Sequence, residues 1–432
     1  MRQPSLLDFS FTTHDPVPEP PFPVVPSQPE PELLKLPPAN PNPVSLAFPK
    51  LNVIQEESLK ALMALKLKHG AIIAPVGSGK TILAMKAWDL LGQPKMLIAV
   101  PRIIMIQNPW LDELTKLGID EKQVGLYYGE TKEVKFPITI ALYQTLLRHP
   151  DVMKRFDMVV FDEADVLSGQ VYARLLPKVA ELPYVIGLTG TIIDAYRRSP
   201  TLQRHLPRII ERTISDGRRQ NLLAPANLVQ IPVELTAEER TDYDKLTAAF
   251  RNLLMQAHHA KTPRDEFLLK RQAFIVNQAR LGLLSNAEAK APEVLRIIQE
   301  DPKRPTLVFS SSVVNAEKLN RELRRLGVPS ETITATTKKE DRERIMKTFG
   351  TDFHVLFSVG VLARGYNVPE VSREVIVGTS SNQLTQVEQR LGRALRRDPK
   401  NPDKVAAIYV LTASHTVDLD MMLNARRALT RL

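Results

Sequence analysis

Short apolar runs alternate with amphipathic stretches from about residue 48 onward, and that alternation predicts an α/β fold. Candidate strands fall at 71–74, 96–100, 138–141, 158–161 and 185–188, nearly continuous in apolar residues. Runs that are apolar at every position belong to strands covered on both faces, which means a parallel sheet between helices. Helical spacing occupies 55–67 and 81–91. A second block repeats the scheme, with strands at 306–309, 331–334, 355–358, 374–377 and 406–411. Between the blocks, Thr236-Ala237-Glu238-Glu239 has the form of a capping box opening a helix through about residue 256, and a second helix covers 265–284. Two tandem parallel-sheet domains with a helical connection are expected rather than one large sheet, since five strands already complete a unit.

Composition changes this picture at one end. Of the 34 prolines in the 432 residues, 14 lie within residues 1–50. The run Pro16-Val17-Pro18-Glu19-Pro20-Pro21-Phe22-Pro23 lacks the backbone donors that helix or sheet needs, so an extended, disordered Pro-rich tether is expected over 1–47. The first α/β domain is then expected over 48–223. The second covers 224–432, with a helical insertion at about 236–288. No cysteine is present, which removes disulfide scaffolds, Cys-based zinc sites and thiol catalysis. No apolar stretch is long enough for a membrane span, and the amino terminus lacks the apolar run of a secretory signal. An intracellular location is expected, in cytoplasm or nucleoid, with the nucleus also open. Lys and Arg total 58 against 48 acidic residues, a net of +10. Residues 1–46 hold two basic and five acidic side chains, so the excess lies in the folded body. A polyanionic partner accounts for that excess, and so does solubility alone.

Chemistry gathers in three places. Ala74-Pro75-Val76-Gly77-Ser78-Gly79-Lys80-Thr81 follows a strand and opens a helix, the setting of a phosphate-binding loop. There Gly77 and Gly79 let backbone N–H groups turn inward, with Pro75, Val76 and Ser78 completing the cradle. Lys80 would neutralise the β and γ phosphates, and the Thr81 hydroxyl would bind Mg²⁺. Met158-Val159-Val160-Phe161-Asp162-Glu163-Ala164-Asp165 supplies the acidic partner. Asp162 emerges at the carboxyl end of its strand, where open α/β sheets place ligands, and would hold the Mg²⁺. Glu163 would orient or deprotonate the attacking water. In the second block, Gln389-Arg390-Leu391-Gly392-Arg393-Ala394-Leu395-Arg396-Arg397 has one carboxylate, Glu388, nearby before Asp398. Arg393 and Arg396, three apart, project from one helical face and suit a phosphate whose charge shifts during transfer. A helix binding nucleic-acid phosphates is the other reading of that segment.

Taken in order, these motifs resemble the superfamily 2 helicases and translocases, over about residues 48–411. The resemblance implies two RecA-like lobes, with ATP as substrate and Mg²⁺ as cofactor. Gln55 is similar to the glutamine that reads adenine, although Ile54 stands where an aromatic is usual. Residues 74–81 resemble motif I, 162–165 motif II, and Thr189-Gly190-Thr191 motif III. Val100-Pro101-Arg102 and Tyr143-Gln144-Thr145 resemble motifs Ia and Ic. Leu307-Val308-Phe309-Ser310 looks like motif IV, 358–369 like motif V, and 389–396, including Gln389, like motif VI. The details differ from the DEAD-box RNA helicases. Those carry Ser-Ala-Thr where this chain has Thr189-Gly190-Thr191, and His-Arg where it has Gln389-Arg390. The pattern is closer to the XPB, RecG and phage UvsW group of DNA translocases. In motif V, Val359 and Asn367 stand where Thr and Asp are usual.

Tracking along a strand needs phosphate donors on both lobes, and the motif-matched candidates are Arg102, Gln144, Thr145, Ser310 and Ser311. Seven arginines and two acids lie between Arg197 and Arg219, which reads either as a hold on a second DNA segment or as a solvated basic helix. At the amino terminus, Gln3-Pro4-Ser5-Leu6-Leu7-Asp8-Phe9 resembles a clamp-binding peptide, with Gln3, Leu6 and Phe9 as its anchors. The expected activity is that of an ATP-dependent DNA helicase or translocase in repair, recombination or replication. Its substrate would be single-stranded, forked or branched DNA. An RNA-dependent ATPase of the same fold, and a non-enzymatic clamp or nucleic-acid adaptor, are the alternatives.

Overall fold

The computed structural model describes residues 39–65, 69–190, 199–360, 371–378, 391–398 and 401–430. The first sheet contains β1 (His69–Ile73), β2 (Met96–Val100), β3 (Gly125–Tyr128), β4 (Thr131–Lys132), β5 (Ile138–Leu142), β6 (Met158–Asp162), β7 (Tyr184–Thr189) and β8 (Arg208–Glu211). Their order is β4-β3-β5-β2-β6-β7-β1-β8, parallel except for the short β3–β4 hairpin. A second, wholly parallel sheet has the order β11-β12-β10-β13-β14-β9. Its strands are β9 (Ala226–Val233), β10 (Thr306–Ser310), β11 (Ser330–Ile333), β12 (Val355–Val359), β13 (Arg373–Ile376) and β14 (Ala406–Ala413). These are the two tandem parallel sheets that the alternation predicts, as the resemblance to RecA-like lobes also implies.

Alternate residues of one strand feed two separate cores, which explains the unbroken apolar runs. Met158 and Val160 of β6 pack in one apolar cluster, and Val159 and Phe161 in the cluster on the other face. In β10, Leu307 and Phe309 face one way and Val308 the other. A strand so placed favours apolar side chains on both faces, and the polar ones it does bury, such as Arg373 and Glu374 of β13, are hydrogen-bonded. Four strands were not expected: β3, β4, β8 and β9. All four lie at or near the sheet margins and are partly exposed, so their sequence carries no continuous apolar signal.

The helices Ala237–His258 and Pro263–Asn286 form an antiparallel hairpin within the second lobe. Thr236 caps the first of them, its hydroxyl accepting from the Glu239 N–H while the Glu239 carboxylate accepts from the Thr236 N–H. Ile214 and Leu223 pack in the second lobe's core. Leu222 packs against the first lobe's core, so residues 214–223 touch both lobes. A buried ion pair ties the second lobe together: Lys290 Nζ donates to Asp418 at 2.6 Å and to the Val377 carbonyl at 2.7 Å. Lys290 is wholly enclosed.

Candidate nucleotide site at the seam of two lobes

Parallel strands bring their carboxyl ends to one edge, and the predicted motifs of the first lobe follow β1, β2, β5, β6 and β7 there. After β1 the chain turns through Gly77 (φ +90°) and Gly79 (φ +80°), left-handed conformations that glycine adopts without strain. The helix Lys80–Leu90 begins at once, so its first N–H groups face the turn. A methyl group on Gly79 would sit 2.4 Å from Gln55 Nε2, and the left-handed backbone there strains any side chain. Gln55 itself is buried, its amide donating to the Gly79 carbonyl at 2.9 Å and its oxygen accepting from the Asn52 N–H at 2.9 Å. Asn52 Nδ2 donates to the Ser78 carbonyl at 3.0 Å. The expected adenine reader thus braces the phosphate loop, an arrangement its spacing did not reveal.

Lys80 Nζ donates to the carbonyls of Ala74 (2.9 Å) and Pro75 (3.1 Å), and phosphate oxygens would have to exchange for them. Burial holds its pKa below the ordinary lysine value, and the nearby Glu163 and Asp162 oppose that shift. Asp162 ends β6, with Oδ1 accepting the Glu163 N–H at 2.9 Å and Oδ2 accepting the Trp110 indole N–H at 2.8 Å. Burial, and then the charge of Glu163, raise its pKa to about 6, opposed by Trp110 and Lys80. Glu163 adopts a left-handed backbone (φ +50°). Among the described residues, its Oε2 and the Ser78 Oγ are buried with no hydrogen-bond partner. Left-handed glycines, a lysine, two carboxylates and two unsatisfied buried oxygens fit a magnesium–triphosphate. Thr81 and Asp162 are the residues that would hold the cation.

The second lobe reaches this edge. A methyl group on Gly392 would stand 2.6 Å from Val76 Cβ, so Gly392 lies directly on the phosphate loop. A methyl on Gly77 would stand 3.0 Å from Arg396 Cγ, which places the Arg396 side chain over the glycine turn. Arg393 is 3% exposed, and Glu163 is near enough to favour its charge. Burial and the neighbouring Arg396 lower the Arg393 pKa to about 9; burial lowers Arg396 to about 10. Both guanidiniums stay charged at neutral pH.

One expectation fails here. Arg393 and Arg396 do not project from a common helical face. The helical turn ends at Ala394, and Arg396 forms an antiparallel bridge with Leu223. The cause is competition for carbonyls: the Ala224 N–H takes the Leu395 carbonyl at 2.7 Å, and Lys404 Nζ takes that of Arg396 at 2.8 Å. Buried Glu374 fixes the turn by accepting the Ala394 N–H at 3.0 Å. Neither Glu374 nor Trp110 stood out in the sequence, since Glu374 follows Ser372-Arg373 at the start of a strand and Trp110 lies between Asn108-Pro109 and Asp112-Glu113, outside every motif.

The nucleic-acid candidates divide by exposure. Arg102 and Gln144 are exposed, whereas Thr145 and Ser310 are buried. Ser310 Oγ donates to the Ser312 carbonyl and accepts its N–H, both at 3.1 Å, and Ser311 is hydrogen-bonded to Ser285. The arginine-rich stretch after β7 is largely committed to structure. Arg208 pairs with Glu211, Arg212 with Glu57 and Arg219 with Asp216, while Arg218 donates to the Leu429 carbonyl. Gln3, Leu6, Phe9, Thr191, Arg197, residues 361–369, Gln389 and Arg390 lie outside the described residues.

Comparison with known proteins adds the following. Residues 49–194 match the type III restriction enzyme res subunit family, and 289–398 match the helicase conserved C-terminal domain. A relative named as the DNA 3'-5' translocase XPB2 of Sulfurisphaera tokodaii is 26% identical, over 87% of this chain and 85% of its own length. A Rad25 protein of Halobacterium salinarum, named as a DNA 3'-5' helicase, is 25% identical over 81% of this chain and 52% of its own. The chain thus spans about half the length of that second relative. Among solved structures, the Hef helicase domain of Pyrococcus furiosus superposes with a TM-score of 0.52 at 16% identity, covering 87% of this chain and 98% of that one. That likeness is one of fold.

Proposed function

We propose that this chain, which is similar to the XPB group of superfamily 2 helicases, is an ATP-dependent DNA helicase or translocase working in repair, recombination or replication. One observation carries the placement of its ATP site: Gly392 and Arg396 of the second lobe lie against the glycine turn of the first. ATP is the substrate. Its phosphates are taken by the 74–81 loop, with Lys80 leaving its carbonyl partners to meet them. A magnesium ion, held by Thr81 and Asp162, supplies charge neutralisation when bound. Glu163 orients the attacking water and receives its proton. Arg393 and Arg396 stabilise the charge that spreads over the leaving phosphate oxygens. Because the arginines and the loop come from different lobes, hydrolysis demands closure. Release of product relaxes it, and alternating grips then step along one strand.

Arg102 and Gln144, exposed at the same edge, are the proposed strand contacts of the first lobe. Ser311 is that of the second. The clamp-binding reading of Gln3, Leu6 and Phe9 remains part of the proposal, and a peptide of residues 1–14 that binds no sliding clamp would remove it. Among the described residues no helix is long and apolar enough to cross a membrane.

ATPase rates across single-stranded, duplex, forked and four-way DNA, with RNA as control, test the function. Stimulation by DNA over RNA is expected. Stimulation by RNA alone would replace this reading with an RNA-dependent ATPase, and indifference to every nucleic acid would remove the motor. Lys80→Ala should abolish turnover. Arg393→Ala should leave ATP binding within about threefold while lowering hydrolysis by about 10³, a split that nucleotide-binding and single-turnover assays separate.

A further inference from the structure

Among the described residues outside the motifs, Trp110 is bonded directly to the Asp162 carboxylate. Trp110 is completely buried in the first lobe's core, and its single polar atom donates to Asp162 Oδ2 at 2.8 Å. An indole nitrogen is a donor only, so its partner there is an oxygen with a lone pair to give. Trp110 lies in Ile106–Leu111, a helical segment broken by the extended backbone of Asn108 (φ −124°, ψ 115°) and running into the helix Asp112–Lys116; it follows β2 through residues 101–105. That connecting segment carries the exposed Arg102 and the exposed Ile103. Seven residues therefore separate a side chain at the surface edge from one bonded to the carboxylate.

We propose that Trp110 is a positioning residue that aims the Asp162 carboxylate, and that through it residues 101–111 carry nucleic-acid contact at Arg102 to the nucleotide site. The inference rests on the proposed function, because it assumes an ATP site at Asp162 and a strand at Arg102. The geometry gives the physical reason. Oδ1 is held by the Glu163 N–H, and the Asp162 carbonyl by the Tyr143 hydroxyl at 2.6 Å. Those two bonds fix the backbone end and one oxygen. The indole fixes the remaining oxygen, and with it the rotation of the carboxylate plane. A fully enclosed indole cannot swing away within a close-packed core. A displacement at residues 102–106 is therefore passed on as a shift of the carboxylate. Outer groups of this kind orient the ligands of bound cations, and losing one typically weakens a site roughly 10- to 100-fold.

The test uses the full chain and begins with Trp110→Phe, which keeps the ring packing and removes the donor. Wild type and variant are compared for ATPase activity against magnesium concentration, with and without a single-stranded oligonucleotide. The magnesium concentration for half-maximal turnover should rise about tenfold or more. DNA stimulation should shrink toward unity, and Arg102→Ala should lose the same stimulation. A readout free of turnover comes from the indole itself. The chain has two tryptophans, Trp88 and Trp110, so Trp88→Phe leaves Trp110 as the sole tryptophan, excited apart from the tyrosines at the red edge of absorption. Its emission should shift on adding magnesium with ADP, and again on adding oligonucleotide without nucleotide.

If Trp110→Phe does not fold, β-(3-benzothienyl)alanine at position 110 retains the indole's shape without its N–H. The same comparison is then made with that protein. Unchanged magnesium dependence and DNA stimulation, together with an emission deaf to both ligands, would make Trp110 a core side chain and nothing more. Wild-type chain that DNA does not stimulate would overturn the proposed function instead, so the two failures are distinguishable.

Discussion

Asp162 shows how one buried carboxylate is set between two demands. Its pKa of about 6 stands above the ordinary aspartate value because burial and Glu163 both oppose its charge. A cation needs the charged form. At limiting magnesium, turnover should therefore fall about tenfold per pH unit below pH 6. Excess magnesium competes with the proton and should move that acid limb to lower pH. The sign for stability is opposite. A carboxyl whose folded pKa is raised binds more protons folded than unfolded, so its contribution is full below about pH 4 and lost as pH rises through about 6. Asp162→Asn, neutral at every pH, should thus be inactive yet more stable than wild type at pH 7.5 by about 1–3 kcal/mol. Urea unfolding at pH 5 and pH 7.5 checks this. A gain as large at pH 5 as at pH 7.5 would show that charge burial is not its source.

At the scale of elements, legibility follows burial. Strands such as β2 and β6, enclosed on both faces, declare themselves as unbroken apolar runs. The exposed, alternating β9 and the two-residue β4 leave no such mark. The site follows the same logic. Lys80, Asp162 and Glu163 were readable because strand–turn–helix context fixes where a backbone must bend, and that bend is local. The bridge between Arg396 and Leu223 was not readable, since its partners are far apart in sequence and meet only once both lobes are folded. The same holds for Trp110 on Asp162 and for Lys290 on Asp418. That last pair offers a measurement. It joins the helix Lys290–Gln299 to the start of Asp418–Thr430 and to the end of the second sheet. Lys290→Met would strand the Asp418 carboxylate, 3% exposed, without its cation, at a cost of about 3–5 kcal/mol. Adding Asp418→Asn should recover part of that loss in chemical denaturation, because no unpaired charge remains buried.

For the whole molecule, the decisive feature is that the two lobes meet at a seam rich in positive charge. Lys80, Arg393 and Arg396 converge there, and burial works against the charge of each. Repulsion between Arg396 of the second lobe and Lys80 of the first opposes closure, and a triphosphate between the lobes removes that penalty. Nucleotide should therefore act as an adhesive as well as a fuel. A ligand bound only by the closed form, at about a hundred times its dissociation constant, stabilises it by roughly 2.7 kcal/mol. Gly392 makes the idea testable without touching a charge. Any side chain there collides with Val76, whose β-branched group has few rotamers to yield with. Gly392→Val should hold the seam apart. Each lobe keeps its own sheet and core, so with a non-hydrolysable ATP analogue the variant should melt in two calorimetric steps where the wild type melts in one. The raised melting temperature that the analogue gives the wild type should shrink to that of a one-lobe site. DNA-stimulated turnover should fall about 10²-fold or more, the scale set by losing correct placement of reacting groups. A Gly392→Val protein that closes on nucleotide and hydrolyses ATP like the wild type would show that the seam opens in the working cycle without needing this contact, and the arginines would then have to reach the phosphate by another path.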